Sequence, residues 1–115
     1  MLSIQSYRHY FLYRHATDMR KGFNGLSGLV RTELQGDPLN GSAYIFINRR
    51  RDRLKILAWE SGGFVLYYKL LEKGTFELPA FSKNAQSCEL TLQQLTHIIQ
   101  GVQLQSIRHR KRFDF

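Results

Sequence analysis

Apolar positions recur along this chain with two different periods, and the changes of period mark its elements. Tyr10 to Tyr13 is a short aromatic run that reads as a strand. Met19, Phe23, Leu26, Val30 and Leu34 then follow at steps of four, three, four and four. That spacing lines one apolar stripe along a helix ending near residues 35–36. Thr17 and Asp18 offer N-cap and first-turn chemistry for it. Gly22, Gly25 and Gly28 weaken the helix, by roughly 1 kcal/mol each relative to Ala. Spaced by three, they leave a bare strip, which is expected to pack against the domain's own sheet. A phosphate cradle is disfavoured, because these glycines sit inside the helix and not in a loop before it.

A turn at Asp37, Pro38, Leu39, Asn40 and Gly41 separates this helix from three strand candidates. Ala43 to Ile47 is aromatic and β-branched. Residues 53–59 alternate Leu54, Ile56 and Ala58 with Arg53, Lys55 and Leu57, and residues 64–71 are rich in Phe, Val and Tyr. Both connections are short enough for hairpins, so an antiparallel meander is expected. Residues 75–78 are a candidate fifth strand, ended by Pro79. A second helix follows: Thr91 and Gln94 are spaced as a capping box, Leu90 and Leu95 as a hydrophobic staple, and Gly101 is its natural stop. The fold class predicted is α+β, an antiparallel β-meander of about four to five strands with two helices packed on one face. No repeat, low-complexity tract or Pro/Gly/Ser linker divides the chain. A single domain over residues 1–115 is expected, with a basic C-terminal tail from about 104–115.

Composition agrees with a folded domain: 43% of residues are hydrophobic, 23% are charged, and only two are proline. Charge changes the picture more. Seventeen Lys and Arg face nine Asp and Glu, for a formal +8, and arginine is the side chain suited to bidentate phosphate and guanine-edge contacts. A negatively charged partner is expected, either nucleic acid or an acidic protein surface. Cys88 is the lone cysteine, which rules out an intramolecular disulfide and fits a reducing cytoplasm. The first residues lack a signal-peptide apolar core, and no run approaches the ~18–20 apolar residues of a membrane span. A cytoplasmic, nucleoid-associated protein with no membrane partner is the expectation.

Catalytic constellations are thin. His9, His15, His97 and His109 show no metal-ligand spacing with one another or with Cys88, and the acids are scattered over turns, a helix start and the tail. No phosphate loop, nucleophile elbow or dinucleotide turn is present. No catalytic, cofactor-binding or metal-binding residue is assigned, and the chain is expected not to be an enzyme. The positive charge, by contrast, is clustered. Arg49, Arg50, Arg51, Arg53 and Lys55 crowd one hairpin with Asp52 as the acid among them. Arg108, Arg110, Lys111 and Arg112 make a second cluster in the tail, and Arg20 with Lys21 a third. A cationic two-stranded ribbon can enter a DNA groove or grip its backbone. The same hairpin also fits a solvated turn or a device protecting a sheet edge. Tyr44, Phe46, Trp59, Phe64, Tyr67 and Tyr68 are interleaved with it. Base stacking is open to them, but most belong to a core that this sheet needs.

Two stretches carry a family resemblance. Residues 17–26, TDMRKGFNGL, resemble the opening motif T-D-M-R-K-[GS]-F-D-G-L of TnpB, also called Orf2, the accessory protein of the IS-sixty-six class of bacterial insertion sequences. Phe46, Arg49, Arg50, Asp52, Arg53, Leu54, Lys55, Ile56, Leu57, Trp59 and Glu60 fit the family block F-x-x-R-R-x-D-R-[IL]-K-I-L-x-W-[DE]. Gly63, Phe64, Leu66, Tyr68, Lys69, Leu71, Glu72, Gly74 and Phe76 continue it. Order and spacing agree from Ala16 to about Ile99. Asn24, Leu70 and Leu78 depart from the residues usual there, which alters a polar contact or a stacking surface without threatening the fold.

The resemblance implies a DNA-level role beside a larger DDE-type transposase and a second small accessory protein of the same element. It brings no established site residues. The family's recurring Arg20, Lys21, Arg49, Arg50, Arg53 and Lys55 coincide with the basic clusters found from charge alone. The reading is a non-enzymatic accessory protein that binds DNA, such as the element ends, in support of the transposase. A protein–protein adaptor docking on the transposase, and a regulator of element expression, are the alternatives.

Overall fold

The computed structural model describes residues 7–102. Seven elements follow one another: β1 (Tyr10–Tyr13), α1 (Phe23–Thr32), β2 (Ala43–Ile47), β3 (Arg53–Glu60), β4 (Gly63–Leu70), β5 (Ser87–Leu90) and α2 (Leu92–Gln100). The strands form one sheet in the order β4-β3-β2-β1-β5. The α+β class therefore holds, and β2, β3 and β4 make the expected meander. Ala43 pairs with Ala58 and Ile47 with Leu54, then Arg53 with Leu70 and Glu60 with Gly63. The second hairpin turns on Ser61 and Gly62, both at positive φ (52° and 85°). That two-residue geometry matches the twist of the strands it joins.

The sheet departs from a pure meander at β1, which pairs parallel with β2 (Tyr10 with Ala43) and antiparallel with β5 (Tyr10 with Leu90). Parallel neighbours need a crossover between them, and α1 with its flanking loops provides one. Residues 75–78 are not the fifth strand. Thr75 makes only an isolated bridge to Val102, while Phe76 is fully buried as a core plug. The fifth strand is Ser87–Leu90, whose polar composition hides it and whose pairing depends on β1.

The helices lie on opposite faces of the sheet, not on one. Leu95 and Ile98 of α2 share a buried cluster with Leu12, Ala43, Ile45, Ile47, Leu54, Ile56 and Ala58. Leu26 and Val30 of α1 share the other cluster with Tyr13, Tyr44, Phe46 and Leu57. Alternate residues of a strand point to opposite faces. β2 is buried at all five positions, so the sheet has two apolar surfaces and each needs a cover.

Local chemistry treats the two helices differently. α2 has its capping box: Gln94 N–H donates to Thr91 Oγ1 (3.0 Å) and Thr91 N–H donates to Gln94 Oε1 (2.8 Å). Gly101 closes it at φ 75°, and Lys69 Nζ donates to the Ile99 carbonyl near its C-terminal end (2.9 Å). α1 begins five residues later than Thr17 suggested, after Gly22, with no side-chain cap, and it ends at Thr32. Thr17 is instead buried, its N–H bonded to the Ile47 carbonyl (2.9 Å). Asp18 caps no helix; its carboxylate accepts from the Arg20 backbone N–H (2.9 Å). The glycines do not meet the sheet either. A Cβ at Gly22 or Gly28 would touch nothing within 4 Å, because Leu26, Ser27 and Val30 form the buried side of α1.

Candidate nucleic-acid interface

The β2–β3 hairpin ends in a braced loop. Asn48 Oδ1 accepts from the N–H groups of Asp52 (3.0 Å) and Arg53 (2.9 Å), and Asn48 Nδ2 donates to Asp52 Oδ1 (2.7 Å). Arg51 takes the left-handed conformation, φ 60°, that closes the loop, and its N–H reaches the Asn48 carbonyl (3.1 Å). The loop is tied to the core as well: the Arg51 carbonyl accepts from buried Phe76 (2.7 Å) and the Asp52 carbonyl from Leu71 (2.8 Å). Asp52 is thus occupied by the Asn48 amide and the hairpin's frame. Arg49 and Arg50 project from a fixed platform, both exposed.

Residues 17–20 form the opposite wall, and Lys55 holds that wall in place. Its ammonium donates to the carbonyls of Met19 (2.8 Å) and Lys21 (2.7 Å) and sits 4.6 Å from the centre of the Tyr68 ring. Lys55 is only 6% exposed. This corrects its place among the surface cations: its charge is spent inside the protein, and it anchors the segment leading into α1. The reason is its parity on β3, which turns it to the same face as Leu57, beneath the start of α1.

Between the two walls is a shallow cleft of about 490 Å³, lined by Thr17, Asp18, Met19, Arg20, Asn48, Arg49, Arg50, Arg53 and Tyr68. Arg53 is exposed and its Nη1 donates to the Tyr68 hydroxyl (3.0 Å), a bond that raises the guanidinium pKa further and keeps it charged. Arg20 forms a two-pronged pair with Asp18, Nη2 to Oδ2 at 2.7 Å and Nε to Oδ1 at 3.1 Å. Hydrogen bonds from the Arg20 side chain, then from its backbone N–H, hold the Asp18 carboxyl at about 2, below its ordinary 3.8. Four guanidinium groups line the cleft against that one carboxylate. An anion with several oxygens, entering from solvent, meets donors on both walls.

Arg20, Arg49, Arg50 and Arg53, far apart in sequence or clustered on the hairpin, are therefore brought together. Arg51 is not. It lines a neighbouring groove with Arg14, His15 and Leu78, which shares Asn48 and Arg49 with the cleft. Lys21 is exposed beside Gly25, outside the cleft lining. Arg108, Arg110, Lys111 and Arg112, with the tail from about 104, lie outside the described residues. Of the interleaved aromatics, Tyr44 and Phe46 are buried and Tyr67 packs on the core, as most of the set was expected to do. Tyr68, 48% exposed, is a cleft wall.

The sequence reading missed two structural parts of this site. The Asn48 clasp was signalled by an amide and a carboxylate flanking three arginines, the usual makings of a side-chain-braced turn. The Tyr68 wall follows from the hairpin register, which sets Lys55 opposite Tyr68 once the turn is fixed at Ser61 and Gly62. Among the described residues, no group of His, Cys, Asp and Glu is placed to hold a metal ion.

The whole arrangement falls inside one family match: the model of the IS66 Orf2 like proteins covers residues 8–109. The chain belongs to that family. The family's description ties it to the IS66 insertion sequence. The match includes every element of the sheet, both walls of the cleft and Arg108, and stops short of Arg110, Lys111 and Arg112. Two proteins of Sinorhizobium fredii, both carrying the description uncharacterized, are similar to it. y4jC is 40% identical over 68 residues, 59% of this chain and 58% of its own length. y4hO is 31% identical over 86 residues, 75% of this chain and 73% of its own length. No solved structure matches the chain. Among the described residues, no helix is long and apolar enough to cross a membrane.

Proposed function

We propose that this accessory protein is a non-catalytic DNA-binding factor that grips the phosphate backbone through the cleft of Arg20, Arg49, Arg50 and Arg53 and supports the element's transposase at the DNA. The observation that carries the reading is the cleft itself: four guanidinium groups converge from two separate segments, with Asp18 as the acid in the lining. Planar guanidinium forks suit phosphate oxygens, and rigid mounting on Asn48 and Lys55 lowers the ordering cost of binding. Partners in this reading are DNA at the element ends, the DDE-type transposase and a second small accessory protein. Nucleoid association follows from the first.

The test is DNA binding by the full chain across a salt series, with element-end DNA and unrelated DNA of equal length. If about four phosphates are neutralised, the plot of log affinity against log salt has a slope near −3.6, a fall of about 150-fold between 50 and 200 mM. Arg49→Gln with Arg50→Gln lowers the slope by about two and leaves the fold intact. An adaptor that docks on the transposase instead gives salt-tolerant transposase binding with no detectable DNA binding at physiological salt. That outcome rejects the proposal.

A further inference from the structure

The two edges of the sheet are built differently. β5 is four residues long and carries Glu89, which is exposed and pairs with His9 (2.7 Å). A short, charged edge resists further pairing. β4 is eight residues long, Gly63–Leu70, with Lys69 its one charged side chain, and that ammonium is turned back to the Ile99 carbonyl. The bond from Leu71 N–H to the Asp52 carbonyl, with the β3–β4 register, fixes the parity of the ladder. Backbone groups of Gly63, Val65, Tyr67 and Lys69 face β3; those of Phe64, Leu66, Tyr68 and Leu70 face outward. No strand among the described residues pairs with that outer side. The side chains of the same four residues lie on the α1 face, where Tyr68 is 48% and Leu70 53% exposed.

We propose that β4 pairs antiparallel with β4 of a second copy of this chain, about a two-fold axis at Tyr67, to give one continuous sheet across a dimer. This register places Phe64 opposite Leu70 of the second copy and Leu66 opposite Tyr68 of the second copy. Every outward N–H and C=O of the four residues is then used, and apolar side chains face apolar ones. A shift of two residues in either direction pushes one end of the strand past its partner. Charge agrees with the same register. In a chain of formal +8, Lys69 falls opposite Val65 and not opposite its own copy, so no like charges meet across the ladder. The axis is perpendicular to the sheet, so both basic clefts open on the same face. With ordinary strand spacings the two Arg53 positions are ~25 Å apart. That consequence for DNA rests on the function proposed above, whereas the pairing stands without it.

The experiment is a concentration series on the full chain, read by sedimentation equilibrium and by amide hydrogen exchange. A dimer is expected, in which exchange of the Phe64, Leu66, Tyr68 and Leu70 amides slows by at least about tenfold from dilute to concentrated protein, while Val65 and Tyr67 are protected throughout. Leu70→Lys, at a position exposed in the single copy, shifts the protein to monomer with native circular dichroism. Leu70→Pro, which removes only an outward N–H, does the same. A chain that stays monomeric at every concentration overturns the pairing. So does a dimer whose four alternate amides remain fast, or one that survives both substitutions.

Discussion

The two faces of this sheet are finished to different standards. Under α2 lies the larger buried cluster, closed by Phe76, Leu95 and Ile98, beneath a helix with a complete capping box, a glycine stop and a lysine near its C-terminal end. Under α1 the cluster is smaller, the helix has no side-chain cap, and two of its ten residues are glycine. Its approach is held by one buried lysine. The basic cleft opens at the border of this second face. The features that stabilise a helix locally are concentrated on the face away from the cleft. The cleft proposed to bind DNA sits on the half whose order depends on a few specific polar ties, and binding sites are often drawn from the less stable parts of a fold.

Substitutions separate the two halves by size of effect. Phe76→Ala, deep under α2, is expected to cost about 3–5 kcal/mol by chemical denaturation, because an aromatic side chain leaves a cavity that the sheet cannot close. The fully folded fraction should fall visibly; a loss under 1 kcal/mol would show that the α2 face is not the stable half. Lys55→Met comes next, at about 2–3 kcal/mol, since the carbonyls of Met19 and Lys21 lose a charged donor. DNA affinity should fall with it, because the wall carrying Arg20 is no longer anchored. Arg50→Gln, by contrast, should change stability by no more than ~0.5 kcal/mol while still weakening DNA binding.

Smaller effects test the helices directly. Thr91→Ala should destabilise by about 1 kcal/mol through loss of the α2 cap. Gly28→Ala should stabilise by about 0.5–1 kcal/mol, because the added methyl group meets no neighbour and α1 gains propensity. A rise in melting temperature with unchanged DNA affinity would place the glycine outside the binding surface. The smallest effect concerns Asp18. Its folded pKa is depressed, so the pair with Arg20 contributes above the ordinary value of 3.8 and is lost as pH falls toward 2. Carboxyl NMR should show Asp18 titrating near 2. Arg20→Ala should move that titration upward, with little change in thermal stability at pH 7, since both groups face solvent.

Much of this was legible along the chain, and the failures have physical causes. The α2 cap, the staple pair and Gly101 are local features, settled within a few residues, and they stand as read. The meander was legible because short turns force neighbouring strands together. The start of α1 was misplaced because Thr17 and Asp18 are chemically good caps, yet Thr17 is drawn to Ile47 and Asp18 to Arg20. Strand β5 was missed because Ser87, Cys88 and Glu89 carry no strand signal until β1 stands beside them. Within the basic clusters, charge identified Arg20, Arg49, Arg50 and Arg53, but it also selected Lys55, which looks the same in sequence and is buried.

The sequence by itself determined the α+β class, the hairpins, the second helix and the family, because these rest on local periodicity, turn chemistry and motif spacing. Only the tertiary structure decided that the helices cover opposite faces, that β1 enters the sheet parallel to β2, and that Arg20 faces the hairpin arginines across a cleft. Those outcomes depend on contacts between segments tens of residues apart. There, the segment leading into α1 covers Lys55 with neutral carbonyls, while Arg53, on the same face but nearer the hairpin end, is left facing solvent.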